Sequence, residues 1–423
     1  MDTEKNQETG KDASMKKLEI RRDPEEVGLD PLRLQRIQTH LDRYVALGQF
    51  SGWLTTVARG GDLVWVGRGG YRDRERSLAV TDDTIWRLYS MTKPITAVAV
   101  MMLYEEGVFD LNDPVGRWIE ELRDPLVYVS GTAANPITVP ATEPVRVHHL
   151  LSHTSGLTYG FQNLTPMDQL YRSMGYDLSN PDGVSLSQAV HDWCKTPLLF
   201  QPGSAWNYSV ATDVLGRLIE IWTGESLDDF LQRRILDPLG MTDTDWYCPE
   251  EKLDRLAQLY VHANGEATPI PELAVATTRK PSLLAGGGGL VSTAHDYQRF
   301  MSMLLGGGEL DGVRLLSKRT LQLMTRNHLP HNQDLSSFAR DSFSEIGQSG
   351  VGFGLGVSVV TKQVDNKSLV TAGTYAWGGA ASTYFWVDPK EELTVGLYVQ
   401  LLPSWTYPVR RELQQLVYSS LTD

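Results

Sequence analysis

Cysteine is scarce in this chain of 423 residues, which holds only Cys194 and Cys248. Two cysteines cannot build a disulfide framework or a four-cysteine zinc site. We therefore expect two buried or half-buried thiols in a reducing compartment.

Long apolar runs are missing as well. The longest extends from Ile95 to Tyr104, about ten residues, whereas a membrane-spanning helix needs about 20. The polar segment from Met1 to Glu19 has no apolar centre of the kind that a secretory signal carries. These absences predict a cytoplasmic protein without a membrane span, and a disordered tail over residues 1–20.

Positive charge is not in excess, because 52 acidic residues outnumber 39 basic ones and the net charge is −13. Binding to a phosphate backbone needs a concentrated basic surface, so nucleic acid is not an expected partner. Hydrophobic residues make up 41% of the chain, which is enough to bury a sizeable core.

Helix and strand patterns occur at both ends of the chain. The first end predicts a helix over 30–47, a hairpin of strands 53–58 and 63–66 around Gly60-Gly61, and a long helix from Ser90 to Gly107. The last end predicts a short helix over 296–305, strands over 357–361, 383–387 and 393–399, and a closing helix over 407–421.

The middle of the chain, residues 112–280, has a different character, with helical patterns, many turn residues and few convincing strands. Its better helices are predicted over 186–192 and 216–235. This order favours one sheet assembled from both chain ends with a helical insertion. We expect an α/β part over 21–115 and 287–423, and a helical part over 116–286.

Ser90-Met91-Thr92-Lys93 is an S-x-x-K element at the predicted start of the long helix. Residues three apart share a helix face with Cβ atoms about 5–6 Å apart, so the Lys93 amine can reach the Ser90 hydroxyl. The first helical turn also offers unpaired N–H groups that favour a developing negative charge. By itself the motif is weak, since Ser14 and Lys17 repeat it in the polar tail. A plain helix N-cap is the alternative for Ser90.

Two further segments strengthen the case. Tyr208 follows a proline and glycine turn and precedes an amphipathic helix pattern. Trp377-Gly378-Gly379-Ala380 enters a predicted strand, where paired glycines let a ligand approach the backbone closely.

Together, Ser90-x-x-Lys93, Tyr208-Ser209 and Trp377-Gly378-Gly379 resemble the serine β-lactamase and penicillin-binding-protein superfamily, in its class C-like branch. The chain is most similar there to the family VIII carboxylesterases and to the fungal acyltransferases that make statin side chains. The likeness spans roughly residues 25 to 400 and includes 149–157, 238–241 and 288–293. It implies an α/β (α+β) fold, with an antiparallel sheet flanked by helices and a mostly helical inserted domain.

The resemblance also implies roles for the motif residues. Ser90 would be the nucleophile, Lys93 its activating partner and Tyr208 the proton shuttle, with the N–H groups of Ser90 and Ala380 as the oxyanion hole. Either Lys93 or Tyr208 could be the general base, and the sequence does not decide between them. No metal or cofactor is implied.

Substrate contacts are expected from Trp377, Gly378 and Gly379, and from Tyr159, which follows the 149–157 segment. The chain departs from the β-lactamase pattern twice: Val210 replaces the asparagine of Tyr-x-Asn, and Trp377-Gly378-Gly379 replaces Lys-Thr-Gly. Both changes exchange polar recognition for apolar surface. They favour a carboxylesterase that hydrolyses small-molecule, short- to medium-chain esters.

Three alternatives stay open beside this hypothesis: acyl transfer to an alcohol or amine, β-lactam or peptide cleavage with weak β-lactam turnover, and a scaffold protein that has kept the fold. The oligomeric state is also left open. Two other signals favour structural roles. His149 and His153 have zinc-ligand spacing without an H-E-x-x-H motif, and Gly286 to Gly289 fit a wall or hinge beside the site better than a dinucleotide motif. No G-x-S-x-G nucleophile elbow is present.

Overall fold

The computed structural model describes residues 18–274, 277–340 and 349–422. The expected tail over 1–20 lies outside these ranges apart from its last three residues, and so does the second S-x-x-K element, 14–17.

Helices are distributed along the described ranges. The α-helices are α1 (Pro31–Ala46), α2 (Thr92–Glu105), α3 (Val147–Leu151), α4 (Pro166–Ser173), α5 (Leu186–Cys194), α6 (Ala211–Thr223), α7 (Leu227–Leu231), α8 (Pro271–Ala274), α9 (Ala294–Leu305), α10 (Lys318–Met324), α11 (Leu335–Phe338), α12 (Gln363–Asn366) and α13 (Val409–Tyr418). A π-helical turn, Gln232–Leu236, follows α7. Short 3₁₀ turns are Pro24–Val27, Tyr89–Met91, Val115–Arg117, Glu120–Leu122, Gly160–Gln162, Glu250–Arg255, Pro330–Asn332 and Ser404–Thr406.

The strands are β1 (Gly52–Arg59), β2 (Asp62–Asp73), β3 (Leu78–Ala79), β4 (Ile85–Arg87), β5 (Leu126–Thr132), β6 (Asn135–Pro140), β7 (Tyr260–Ala263), β8 (Glu266–Pro269), β9 (Val291–Thr293), β10 (Glu309–Leu310), β11 (Val313–Arg314), β12 (Val351–Phe353), β13 (Ser358–Val360), β14 (Tyr375–Gly378), β15 (Tyr384–Asp388), β16 (Leu393–Tyr398) and β17 (Leu401–Leu402).

The main sheet joins the two ends of the chain. Its order is β12-β13-β14-β15-β16-β1-β2-β3, and each neighbouring pair is antiparallel. The junction is the pairing of β1 with β16, in which Leu54 lies opposite Tyr398 and Val57 opposite Val395. The predicted fold class, an antiparallel sheet flanked by helices and built from both chain ends, is confirmed.

Both faces of the sheet are covered, because successive side chains of a strand point to opposite sides. Trp53 packs into an apolar cluster with residues of α1 and α13, whereas the next residue, Leu54, packs into a second cluster with residues of α2 and α9. Helix α2 is buried from Thr92 to Leu103. This central helix carries Lys93 in its first turn, so the lysine enters the protein interior.

The middle of the chain differs from the sequence prediction in two places. A hairpin of β5 and β6 and a second one of β7 and β8 occur where few strands were expected. The helix predicted over 216–235 is also wrong as one element. It breaks because Gly224 takes a left-handed conformation at φ 74° and ends α6, and Ser226 then caps α7.

None of the helices in the described ranges combines the length and the apolar character that crossing a lipid bilayer requires. Both cysteines, Cys194 and Cys248, are buried and free.

Candidate active site

The turn that carries Ser90 connects strand β4 to helix α2. It is a 3₁₀ turn, Tyr89–Met91, in which Tyr89 has a positive φ of 47°. A left-handed backbone at a tyrosine is uncommon and persists where the surroundings hold it. The Ser90 side chain is half-buried and lines a large cavity. Ser90 is thus the middle residue of a strained turn, with its hydroxyl accessible from the cavity.

The three residues predicted from the motifs are brought together. Tyr208 Oη donates a hydrogen bond to Ser90 Oγ at 2.6 Å. Lys93 Nζ lies 3.3 Å from the same oxygen and 4.5 Å from the centre of the Tyr208 ring. A serine hydroxyl placed between a phenol and an amine can lose its proton to the amine while the phenol stabilises the oxygen. The spacing of Ser90 and Lys93 follows from helix geometry, but Tyr208 reaches them from a distant segment.

Lys93 is almost fully buried, with 1% of its surface exposed. Its amine also contacts the carbonyl oxygen of Gly287 at 2.6 Å and Tyr159 Oη at 3.0 Å. Burial lowers the pKa of Lys93 from 10.5 to about 7, and the nearby Asp213 carboxylate opposes that shift. An amine with this pKa is partly neutral near pH 7 and can accept a proton.

Asp213, which the sequence reasoning missed, completes the surroundings of Lys93. It lies in the first turn of α6, and its Oδ1 accepts a hydrogen bond from the Gly287 N–H at 2.9 Å. Burial raises its pKa, while Lys93 and the Gly287 N–H oppose the rise. The available signal was a lone carboxylate among apolar residues five positions after Tyr208.

Tyr159 was predicted to contact substrate. Its side chain does line the cavity. Its hydroxyl, however, lies between Lys93 Nζ at 3.0 Å and Asp213 Oδ2 at 3.5 Å. Burial and Asp213 raise its pKa well above 10.0, so the phenol keeps its proton. Besides lining the cavity as predicted, Tyr159 therefore connects Lys93 to Asp213 through its hydroxyl group.

The end of strand β14 forms a wall of the cavity beside the turn that carries Ser90. Trp377 and Gly378 are the last residues of this strand, and Gly379 and Ala380 follow in the turn to β15. All four line the same cavity as Ser90. The Trp377 ring lies 5.5 Å from that of Tyr208, which places the predicted aromatic wall beside the candidate catalytic residues.

The cavity has a volume of about 1320 Å³. Small-molecule sites are commonly about 300–1,000 Å³. This cavity is larger than that range, so it has room for more than the acyl and alcohol groups of a small ester. Its walls include aromatic side chains on the helical side, among them Tyr171, Tyr176 and Trp193.

The residues that were given structural roles have partners nearby. His149 Nδ1 accepts a hydrogen bond from the Arg146 N–H at 3.1 Å, and His153 Nδ1 lies 3.1 Å from Ser209 Oγ. The glycine run from Gly286 to Gly289 passes beside the site, as predicted for a wall. Its Gly287 contributes both backbone groups described above, and this contribution was not foreseen.

An antiparallel sheet flanked by helices, with a serine hydroxyl held between a buried lysine and a tyrosine, defines a protein of the serine β-lactamase-like class. The chain belongs to the beta-lactamase family, whose sequence profile matches residues 37–419. The resemblance inferred from the motifs is confirmed.

Two relatives are similar to this chain over most of its length. Protein Rv1367c of Mycobacterium tuberculosis is 37% identical over 361 residues, which cover 84% of this chain and 87% of the relative. Esterase EstB of Burkholderia gladioli is 30% identical over 426 residues, covering 94% of this chain and 98% of the esterase.

Solved structures show the same architecture. EstCE1, described as a hydrolase with promiscuous acyltransferase activity, superimposes with a TM-score of 0.77 at 25% identity, covering 93% of this chain and 98% of its own. Simvastatin synthase LovD from Aspergillus terreus has a TM-score of 0.75 at 24% identity, with 92% and 98% covered; this likeness shows the fold alone. The family and the esterase relatives support a serine hydrolase or acyl-transfer enzyme.

Proposed function

We propose that the protein is a carboxylesterase, similar to the family VIII enzymes, that hydrolyses simple esters in the cytoplasm through an acyl-enzyme on Ser90. The observation that carries the proposal is the placement of Ser90 Oγ, 2.6 Å from Tyr208 Oη and 3.3 Å from Lys93 Nζ. In the division of the chain proposed from sequence, Ser90 comes from the α/β part and Tyr208 from the helical part.

In the proposed acylation step, Ser90 Oγ forms a bond to the ester carbonyl carbon as its proton passes to Lys93 Nζ. The carbonyl π electrons move to oxygen and then return, which breaks the bond to the alkoxide. The alkoxide leaves with a proton that the Lys93–Tyr208 pair supplies. Water then repeats the sequence on the acyl-enzyme and releases the acid. Every step uses the chain's own groups, so the scheme calls for no metal or cofactor.

The negative charge on the carbonyl oxygen needs donors during both steps. We assign them to the N–H groups of Ser90 and Ala380, two residues that line the same cavity. A lost donor of this kind typically costs about 10²–10³ in rate.

The substrate assignment rests on Trp377. An indole stands where the resemblance places the lysine of Lys-Thr-Gly in β-lactam-recognising enzymes, and it packs against Tyr208 and Phe353 with ring centres 5.5 and 5.2 Å away. Apolar surface at this wall supports an uncharged ester over a β-lactam carboxylate. A nitrocefin assay tests the β-lactam alternative, for which we expect turnover far below that of esters.

Hydrolysis of p-nitrophenyl esters of increasing acyl length tests the proposal. Wild type and the control Ser204→Ala, a change at an exposed serine, should be active, whereas Ser90→Ala should lose at least about 10³ in kcat. Retention of most activity by Ser90→Ala would overturn the assignment. Labelling of Ser90 by a fluorophosphonate distinguishes an enzyme from a scaffold that has only kept the fold.

Acyl transfer is the second candidate, favoured by the promiscuous acyltransferase activity named for EstCE1 and by the size of the cavity. The same acyl-enzyme would then be captured by an alcohol or amine instead of water. Adding such acceptors should produce a new ester or amide at the expense of free acid if transfer is the main reaction.

A further inference from the structure

Four polar contacts form a closed ring behind Ser90. Lys93 Nζ contacts the Gly287 carbonyl at 2.6 Å, and the Gly287 N–H donates to Asp213 Oδ1 at 2.9 Å. Asp213 Oδ2 lies 3.5 Å from Tyr159 Oη, which returns to Lys93 Nζ at 3.0 Å. A side chain at position 287 would destroy this arrangement, since its Cβ would lie 2.6 Å from Asp213 Oδ2 and 2.9 Å from Tyr159 Oη.

The ring constrains how Lys93 can use its hydrogen-bonding groups. A charged ammonium has three N–H donors, and three acceptors are in place: Ser90 Oγ, Tyr159 Oη and the Gly287 carbonyl. A neutral amine has two donors and one unshared electron pair. The Gly287 carbonyl can only accept, so it always takes one donor. The electron pair must then face either Ser90 or Tyr159.

The direction of the Tyr159 hydroxyl decides between these two states. When its O–H points at Asp213, Tyr159 accepts from Lys93, and the electron pair of the amine faces Ser90. When its O–H points at Lys93, the electron pair is occupied and the amine can only donate to Ser90. A carboxylate charge attracts the O–H dipole even at 3.5 Å in a buried site, where screening is weak.

We propose that Asp213, acting through Tyr159, is a positioning residue that turns the electron pair of Lys93 toward Ser90 and so makes Lys93 the general base. The inference rests on the proposed function and deepens it. The proton of Ser90 passes to Lys93 Nζ as Ser90 Oγ bonds to the ester carbon, and no proton moves along the rest of the ring.

An isosteric substitution can reverse the ring without removing it. In Asp213→Asn, the amide oxygen still accepts the hydrogen bond from the Gly287 N–H. The amide NH₂ therefore faces Tyr159 and donates a hydrogen bond to its hydroxyl oxygen. The Tyr159 hydroxyl then donates to Lys93 and occupies its electron pair. Tyr159→Phe removes the hydroxyl altogether, which leaves the electron pair free for Ser90 whichever group stands at 213.

The test is therefore a double-mutant cycle of Asp213→Asn, Tyr159→Phe and the two combined. General base catalysis contributes about 10²–10⁴, so we expect Asp213→Asn to lower kcat about 10²-fold and Tyr159→Phe to lower it less than tenfold. The double variant should exceed Asp213→Asn by at least threefold, because removing the hydroxyl frees the amine. If Asp213 and Tyr159 had only structural roles, the losses of the two single variants would add, and the double variant would be less active than Asp213→Asn. A double variant less than threefold above Asp213→Asn overturns the proposal.

A pH profile separates positioning from simple charge removal. Lys93 is faced by Asp213, Tyr159, Tyr208 and His153. Loss of the Asp213 charge alone would move the acid limb of the profile to lower pH and leave the plateau in place, a result that would also overturn the proposal. Positioning predicts a lowered plateau.

Two measurements are made on each variant: kcat with p-nitrophenyl esters and the rate of Ser90 labelling by a fluorophosphonate. If the wild type labels at Ser90 but hydrolyses no ester, the proposed esterase function fails while the labelling rates still test the ring. If Ser90 is not labelled, both fall. Thermal unfolding checks that each variant is folded. If Asp213→Asn does not fold, Asp213→Ala is measured in its place, both alone and combined with Tyr159→Phe.

Discussion

Gly379 lies directly against the carbonyl oxygen of Leu88, and a Cβ atom added to the glycine would be 2.2 Å from that oxygen. Leu88 precedes the Ser90 turn and Gly379 precedes Ala380. The contact therefore sets the distance between the two segments whose N–H groups we assign to the oxyanion hole.

Replacement of Gly379 by alanine should push these segments apart. We expect kcat for ester hydrolysis to fall about 10²–10³-fold, as for a lost oxyanion donor, with a smaller change in KM. Steady-state kinetics beside a thermal unfolding curve measures both. A Gly379→Ala variant with wild-type stability and wild-type kcat would show that the donors lie elsewhere.

The activity should depend on pH through Lys93, because burial lowers the pKa of this lysine to about 7. The neutral amine is the form that accepts the Ser90 proton, so kcat/KM should rise with pH and level off above about 7. This rise is measured by initial rates across a pH series, with an ester that does not hydrolyse spontaneously over the pH range used. A profile that is flat through this range would contradict a base of this pKa.

Arg410, on α13, ties down the turn that follows β14. Its Nη2 donates to the Gly379 carbonyl at 2.8 Å and to the Thr383 carbonyl at 3.0 Å. Arg410→Met should free this turn and lower kcat about tenfold through a displaced Ala380 N–H, whereas Arg410→Lys should lose less. The neighbouring exposed Arg411→Met is the matched control for charge loss. Equal kcat values for Arg410→Met and Arg411→Met would rule out this role.

Trp377 should matter for stability as well as for substrate choice. Its side chain is buried and contacts the rings of Tyr208 and Phe353. Trp377→Ala removes a large buried side chain and should lower the free energy of unfolding by about 3–5 kcal/mol, while Trp377→Phe should cost less. Urea unfolding followed by circular dichroism gives both values. An alanine variant within about 1 kcal/mol of wild type would mean that the cavity wall collapses without loss.

Much of the fold could be read from local patterns. The hairpin around Gly60-Gly61, helix α1 and strands β15 and β16 follow from apolar residues that recur every two residues in strands or every 3.6 residues in helices, together with strong turn residues. The hairpin of β5 and β6 was missed because apolar residues on both strands, such as Val129 and Ile137, are exposed, and β6 begins and ends near prolines. No burial pattern marks such a hairpin.

The candidate site divides in the same way. By itself the sequence determined that Ser90 and Lys93 meet, because residues three apart near a helix start share a face, and that Tyr208 and Trp377 accompany them, through the family resemblance. Only the tertiary structure decided that Asp213, Tyr159 and Gly287 enclose the lysine and that Arg410 holds the turn at Gly379. Asp213 and Gly287 are 74 residues apart. Contacts of that separation arise from the packing of whole elements around a shared core, and local spacing carries no record of them.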